Sequence, residues 1–193
     1  KFFVDYATVA KWDCDLKRGE LTTLDKWILA RLTELVLLVN EKLDKYDAVS
    51  SSRAIEDFVV NDFSTWYIRR SRDRVGPEAD KNNRDLALSV MYGVLVTLSK
   101  LLAPFMPFIS EEIYHNLVDG ESVHLEDYPL GDKTLLDEKL VEDMIILRKI
   151  AEVGHAKRKE VSVKLRQSLA SLKYKLDKKL DGKLEKILAE ELN

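Results

Sequence analysis

The sequence is poor in cysteine, histidine, proline and glycine. Its one cysteine, Cys14, excludes an intramolecular disulfide and a cysteine-based zinc site. No activating group lies near Cys14 beyond Lys11 and Lys17, so a bystander thiol is expected. The three histidines, His115, His124 and His155, lie far apart and lack the H-x-x-x-H spacing of a helical metal site, so each is expected to be structural. There is no G-x-S-x-G, no P-loop and no G-x-G-x-x-G. No catalytic or metal-binding constellation emerges. No stretch reaches the ~20 consecutive apolar residues of a membrane span. The opening Lys1-Phe2-Phe3-Val4-Asp5 lacks the basic, apolar, small-residue order of a signal peptide. These absences fit an intracellular protein. What is present is 46% hydrophobic and 34% charged residue in 193 positions, enough for a core that buries roughly 70% of the unfolded surface without a staple.

The net charge of -3 hides a polar distribution. Between Pro104 and Asp143 eleven carboxylates face only Lys133 and Lys139, a local charge of -9. Between Lys157 and Lys179 nine basic residues face Glu160 and Asp177, a local charge of +7. A tighter cluster is Arg69, Arg70, Arg72 and Arg74, interrupted by one acid, Asp73. Such clusters mark either a polyanion-binding surface or solvated helix faces.

The scarce glycines and prolines fall mostly between periodic segments long enough for helices. Leu24, Ile28, Leu32, Leu35, Val39 and Leu43 form one apolar stripe, and Thr22-Thr23-Leu24-Asp25 ahead of them reads as a capping box. Ile55, Phe58, Val59 and Trp66 mark a second helix, from Val49 to about Arg72. Leu86, Val90, Val94, Leu98 and Leu101 mark a third, which Pro104 must end. Phe2–Lys11, Phe108–Leu117 and Leu135 to about Lys159 complete the helical set. The period then changes to two: Val161, Val163 and Leu165 alternate with polar residues, as do Leu172, Tyr174 and Leu176, which predicts two short strands. Gly182 precedes a last amphipathic stretch, Leu184–Leu192. The expected fold is mainly α: an antiparallel helical bundle over residues 1–160, followed by a small α+β appendage over 161–193.

The run Asn61-Asp62-Phe63-Ser64-Thr65-Trp66-Tyr67-Ile68-Arg69-Arg70-Ser71-Arg72-Asp73-Arg74 stands apart. Aromatic rings beside arginines at a helix end can stack unpaired bases and hold phosphates, as single-stranded RNA loops require. Trp66 also completes the apolar stripe begun by Ile55. The arginines could instead pair with Asp62 or Asp73, or with the helix dipole.

These segments resemble the anticodon-binding domain of the isoleucyl-tRNA synthetases, a class I family. The resemblance rests on Leu24-Asp25-Lys26-Trp27-Ile28-Leu29-Ala30-Arg31-Leu32, on Ala54-Ile55-Glu56-Asp57-Phe58-Val59 with Trp66-Tyr67-Ile68-Arg69-Arg70-Ser71-Arg72, and on Leu101-Leu102-Ala103-Pro104-Phe105-Met106-Pro107-Phe108 with Glu111-Glu112-Ile113-Tyr114. Ser122-Val123-His124-Leu125, Lys164-Leu165-Arg166-Gln167 and Glu190-Glu191-Leu192-Asn193 extend it along the chain. Related synthetases for valine and leucine share the bundle and are the alternative, as is a purely structural helical module. The chain departs from the family at Val75-Gly76, where an aromatic often follows the arginines, and at Ser168, where proline is usual. The ATP-site signatures of the family are missing. The resemblance therefore implies one part of a larger cytoplasmic enzyme, with ATP and magnesium bound elsewhere and no cofactor here. Isoleucine tRNA and the catalytic core of the same chain are the implied partners; neither DNA nor membrane is. Arg69, Arg70, Arg72, Arg74, Tyr67, Lys164 and Arg166 are the expected RNA contacts, with Lys26 and Arg31 as weaker candidates. The acidic stretch is expected to face away from RNA.

Overall fold

In the computed structural model residues 1–13, 19–164, 167–176 and 179–192 are described. The chain divides into two compact units, Lys1–Leu136 and Asp137–Asn193.

In the first unit, α1 (Phe2–Ala10) precedes α2 (Thr23–Asp44), α3 (Ala48–Asp57), α4 (Arg72–Val75), α5 (Lys81–Leu102) and α6 (Pro107–His115). The starts of three of these are fixed by side chains. Thr22 and Asp25 form the expected capping box on α2, Asp47 accepts the Ser50 N–H at 3.0 Å, and Asp80 accepts the Asn83 N–H at 3.0 Å. Each such cap contributes about 1 kcal/mol. The helices then pack by their stripes. Ile28, Leu32, Leu35 and Val39 of α2 meet a core to which Leu86, Val90, Val94, Leu98 and Leu101 of α5 also contribute, all buried. α5 is long and apolar enough to cross a membrane, although its apolar residues form no unbroken run. Half of its 22 residues are buried inside the bundle. Pro104 follows the last turn of α5 and Pro107 opens α6, as the missing N–H groups require.

Between α3 and α4 the backbone widens. Phe58–Ile68 is π-helical, a form otherwise met mostly as single-turn bulges. The wider turn brings residues five apart into register. Thr65 Oγ1 donates to the Val60 carbonyl at 2.7 Å, and the Phe58 and Phe63 rings stack nearly parallel at 6.4 Å between centroids. Phe63 in turn stacks on Tyr67 at 6.1 Å.

In the second unit α7 (Glu138–Glu160) packs with α8 (Gly182–Leu192). Gly154 is the point of close approach: a Cβ there would lie 2.7 Å from Leu192 Cδ2. The buried Arg158 ties the connecting chain, donating to the carbonyls of Leu192 (2.9 Å), Lys164 (2.7 Å) and Gln167. Neither expected strand is present among the described residues of 161–176; Leu165 and Arg166 lie outside them. Leu172 and Tyr174 are exposed, and the alternation has no neighbouring strand to pair with among the described residues. An isolated two-stranded pairing is marginal without a third strand or a covering face. The fold is mainly helical.

Candidate nucleic-acid interface

The arginine run leaves the π-helical stretch and ends in α4. What anchors it is a carboxylate at the start of α2. Asp25 is fully buried and is the acid of the capping box. Its Oδ2 accepts the Thr22 N–H (2.9 Å) and the Thr22 hydroxyl (2.7 Å). Its Oδ1 accepts the Tyr67 hydroxyl at 2.6 Å. Arg74 then donates to both oxygens, at 2.8 and 2.9 Å, in the bidentate geometry that suits guanidinium to carboxylate. The remaining Arg74 Nε–H donates to Asn83 Oδ1 at 3.0 Å, reaching the first turn of α5. Burial alone would raise the Asp25 carboxyl, but the bonds and charge of Arg74, with Tyr67 and Thr22, leave it below its ordinary value. Burial and the adjacent carboxylate hold the Tyr67 phenol well above its ordinary value, so it stays a donor.

Two of the expected RNA contacts are engaged within the fold. Tyr67 is fully buried and cannot present its ring to a base. Arg74 is locked on Asp25, because a buried carboxylate holds a guanidinium far more firmly than solvent-screened charge does. Arg31 is likewise engaged, by the buried Asp62 at 2.9 Å and by Glu34. Trp66 is buried, in line with its place on the core stripe.

The outward cations are Arg69 and Arg72, with Arg70 half-buried between them. Arg69 Nε donates to the Thr65 carbonyl at 2.9 Å, and its guanidinium lies 5.9 Å from the Trp66 ring centre. The Arg72 guanidinium lies 5.9 Å from the Phe2 ring centre. Both are exposed cationic planes seated on aromatic rings, within cation–π range. Such planes can receive an unstacked base or a phosphate with little side-chain entropy left to lose. Lys26 and Lys164 are exposed; Arg166 and Cys14 lie outside the described residues.

The three histidines each meet a partner within the fold. His115 meets Glu111, His124 the Pro107 carbonyl and His155 Glu191, at 3.2, 3.3 and 3.4 Å. Among the described residues no three His, Cys, Asp or Glu side chains could jointly hold a metal ion. Sequence patterns missed Arg158 and the partnership of Asp25. The capping-box motif marked Asp25, but nothing marked its partner 49 residues away.

The fold is a helical bundle with two arginines seated on aromatic rings, and comparison with known proteins gives its family. Residues 25–174 match the family described as the anticodon-binding domain of tRNA ligase, and the chain belongs to that family. It is 41% identical to the isoleucine–tRNA ligase of Dehalococcoides mccartyi (strain CBDB1), an alignment that takes in all of this chain and 20% of that protein. It is 40% identical to the isoleucine–tRNA ligase of Thermus thermophilus, over 89% of this chain and 17% of that protein. With that of Clostridium tetani the identity is 37%, over all of this chain and 19% of that protein. The chain thus spans about a fifth of the length of the relatives it matches.

Proposed function

We propose that this chain is the anticodon-binding part of an isoleucine–tRNA ligase and holds the anticodon region of isoleucine tRNA for a catalytic core elsewhere in the same polypeptide. The observation that carries the reading is the pair of exposed guanidinium planes, Arg69 over Trp66 and Arg72 over Phe2, at the bundle end where α5 begins. Bases of the loop unstack onto these planes, each contact contributing roughly 1–3 kcal/mol, and each guanidinium also pairs with a neighbouring phosphate. Arg70, Lys164 and Arg166 add phosphate contacts. The carboxylates of α6 and the following loop belong to elements that pack against α5 after its C-terminal turn, where Lys100 and Tyr114 hold Glu126.

In the same reading ATP and magnesium bind outside this chain, where isoleucine is activated and transferred, and the enzyme works in the cytoplasm. The α+β appendage belongs here too. The alternation of Val161, Val163, Leu172 and Tyr174 supports it, as does the apolar groove of about 590 Å³ that these residues line with Ile150, Val153 and Leu169. A strand from elsewhere in a longer polypeptide completes the sheet.

The test uses the full-length protein. Binding of isoleucine tRNA is measured across a salt series, with Arg69→Glu/Arg72→Glu beside the native protein. The double variant is expected to bind more weakly, with a log–log salt slope shallower by about 1.4, from about 0.7 per phosphate on a single strand. Unchanged affinity and slope would leave these arginines a structural role and the bundle a packing module.

A further inference from the structure

At the end of α5 remote from the arginines, the chain turns at Pro104 and opens α6 at Pro107. The side chains around this turn are apolar and outside the core. Phe108 is 91% exposed, Met106 50% and Ile109 48%. A short 3₁₀ turn, Val123–Leu125, is held against α6: Glu111 accepts the Val123 N–H at 2.8 Å and the Ser122 hydroxyl at 3.1 Å. That turn carries Leu125, itself 70% exposed. Isolated exposed apolar side chains are ordinary, but four on two adjoining elements, one a nearly bare phenylalanine, make a patch that asks for a cover.

Two observations say what covers it. The first is charge. From Leu101 to Asp132 the sequence has no lysine or arginine, and it carries Glu111, Glu112, Asp119, Glu121, Glu126 and Asp127. The nearest cation before it, Lys100, is engaged by Glu126 at 2.6 Å. A polyanion approaching this patch meets like charge, so RNA is the wrong occupant, whereas a protein surface with an apolar centre and a basic rim is complementary. The second is length. The relatives are about five times as long as this chain, so most of the polypeptide that could cover the patch lies outside these 193 residues.

We propose that the Met106–Phe108–Ile109–Leu125 face seats another segment of the same longer polypeptide, one presenting an apolar centre ringed by lysine or arginine. This rests on the reading above that the chain is part of a larger ligase. Phe108 is the anchor: its ring is already clear of the core, so seating it buries apolar area at no cost to the bundle's own packing.

The experiment places a photo-cross-linker at this position in the full-length protein, Phe108→p-benzoylphenylalanine, with tRNA present. Since Phe108 packs against little, the variant is expected to fold. Irradiation followed by mass spectrometry of peptides reads where the ring sits. The expected result is cross-links within one polypeptide, to a segment outside residues 1–193 with lysine or arginine beside the attachment point. Cross-links to tRNA, to a second copy, only to residues within 1–193, or none at all would overturn the proposal. The mass of the natural polypeptide separates the two levels. A natural chain no longer than this one overturns the ligase reading; a long chain without those cross-links overturns only the seat.

Discussion

Arg74→Met keeps most of the side chain's length and removes its charge. Asp25 is fully buried, and Arg74 supplies two of the bonds it accepts, at 2.8 and 2.9 Å. Tyr67 and Thr22 remain as donors, but neither carries charge. Breaking a buried pair by removing one partner costs about 3–5 kcal/mol, because the other charge is left desolvated. At about 2–4 °C per kcal/mol for a chain of this size, the midpoint of the Lys1–Leu136 unit is expected to fall by about 6–20 °C near neutral pH. The pH dependence supplies a second check. Burial raises the Asp25 carboxyl, and Arg74, Tyr67 and Thr22 together bring it below the ordinary 3.8. A carboxyl depressed in the folded state stabilises fully above its unfolded value, and the gain is lost as pH falls through the folded value. In the native protein this contribution is therefore complete above about pH 3.8 and shrinks below it. In the variant no cation opposes burial, so the carboxyl rises and accepts a proton more readily, narrowing the gap further. Circular-dichroism melts at about pH 7 and about pH 3 read both effects. A neutral-pH midpoint within about 2 °C of the native one, or an equal gap at both pH values, would refute the charge-lock account.

Thr22→Ala removes the hydroxyl of the capping box and is expected to cost about 0.5–2 kcal/mol, read as a lower urea midpoint with an unchanged slope. Arg158→Met strips donors from the carbonyls of Leu192, Lys164 and Gln167. Limited proteolysis should then cut faster between residues 161 and 181, leaving Lys1–Leu136 as resistant as before; equal rates would show that Arg158 does not hold that segment.

The helices were legible because their signals are local. Apolar spacing and the Thr22–Asp25 box place α2 to within a residue, and the stripe from Leu86 to Leu101 is buried as its period implies. Side-chain partnership is not local. Asp25 already had a task, capping α2, and only the folded chain brings Tyr67 and Arg74 onto the same two oxygens. That partnership engages two of the residues expected to touch RNA and leaves Arg69 and Arg72 outward. The strands do not form among the described residues for a related reason: an alternating pattern states which faces a strand would have, but the ladder needs a neighbour. The π-helical stretch was invisible because Ile55, Phe58, Val59 and Trp66 fit an ordinary helical stripe well enough, and the widening shows only in pairs five apart.

That widened stretch has a consequence for chain length. In a ladder of i→i+5 bonds, losing one residue permits return to i→i+4 bonding, so a single deletion between Phe58 and Ile68 can leave the helix continuous. Because the wide turn holds about one residue more than an α-turn for the same rotation, the deletion closes the widening and the chain after it keeps its heading. Arg69 and Arg72 would stay outward, and Arg74 would keep its line to Asp25. Homologues shorter by one residue here should therefore point their arginines the same way.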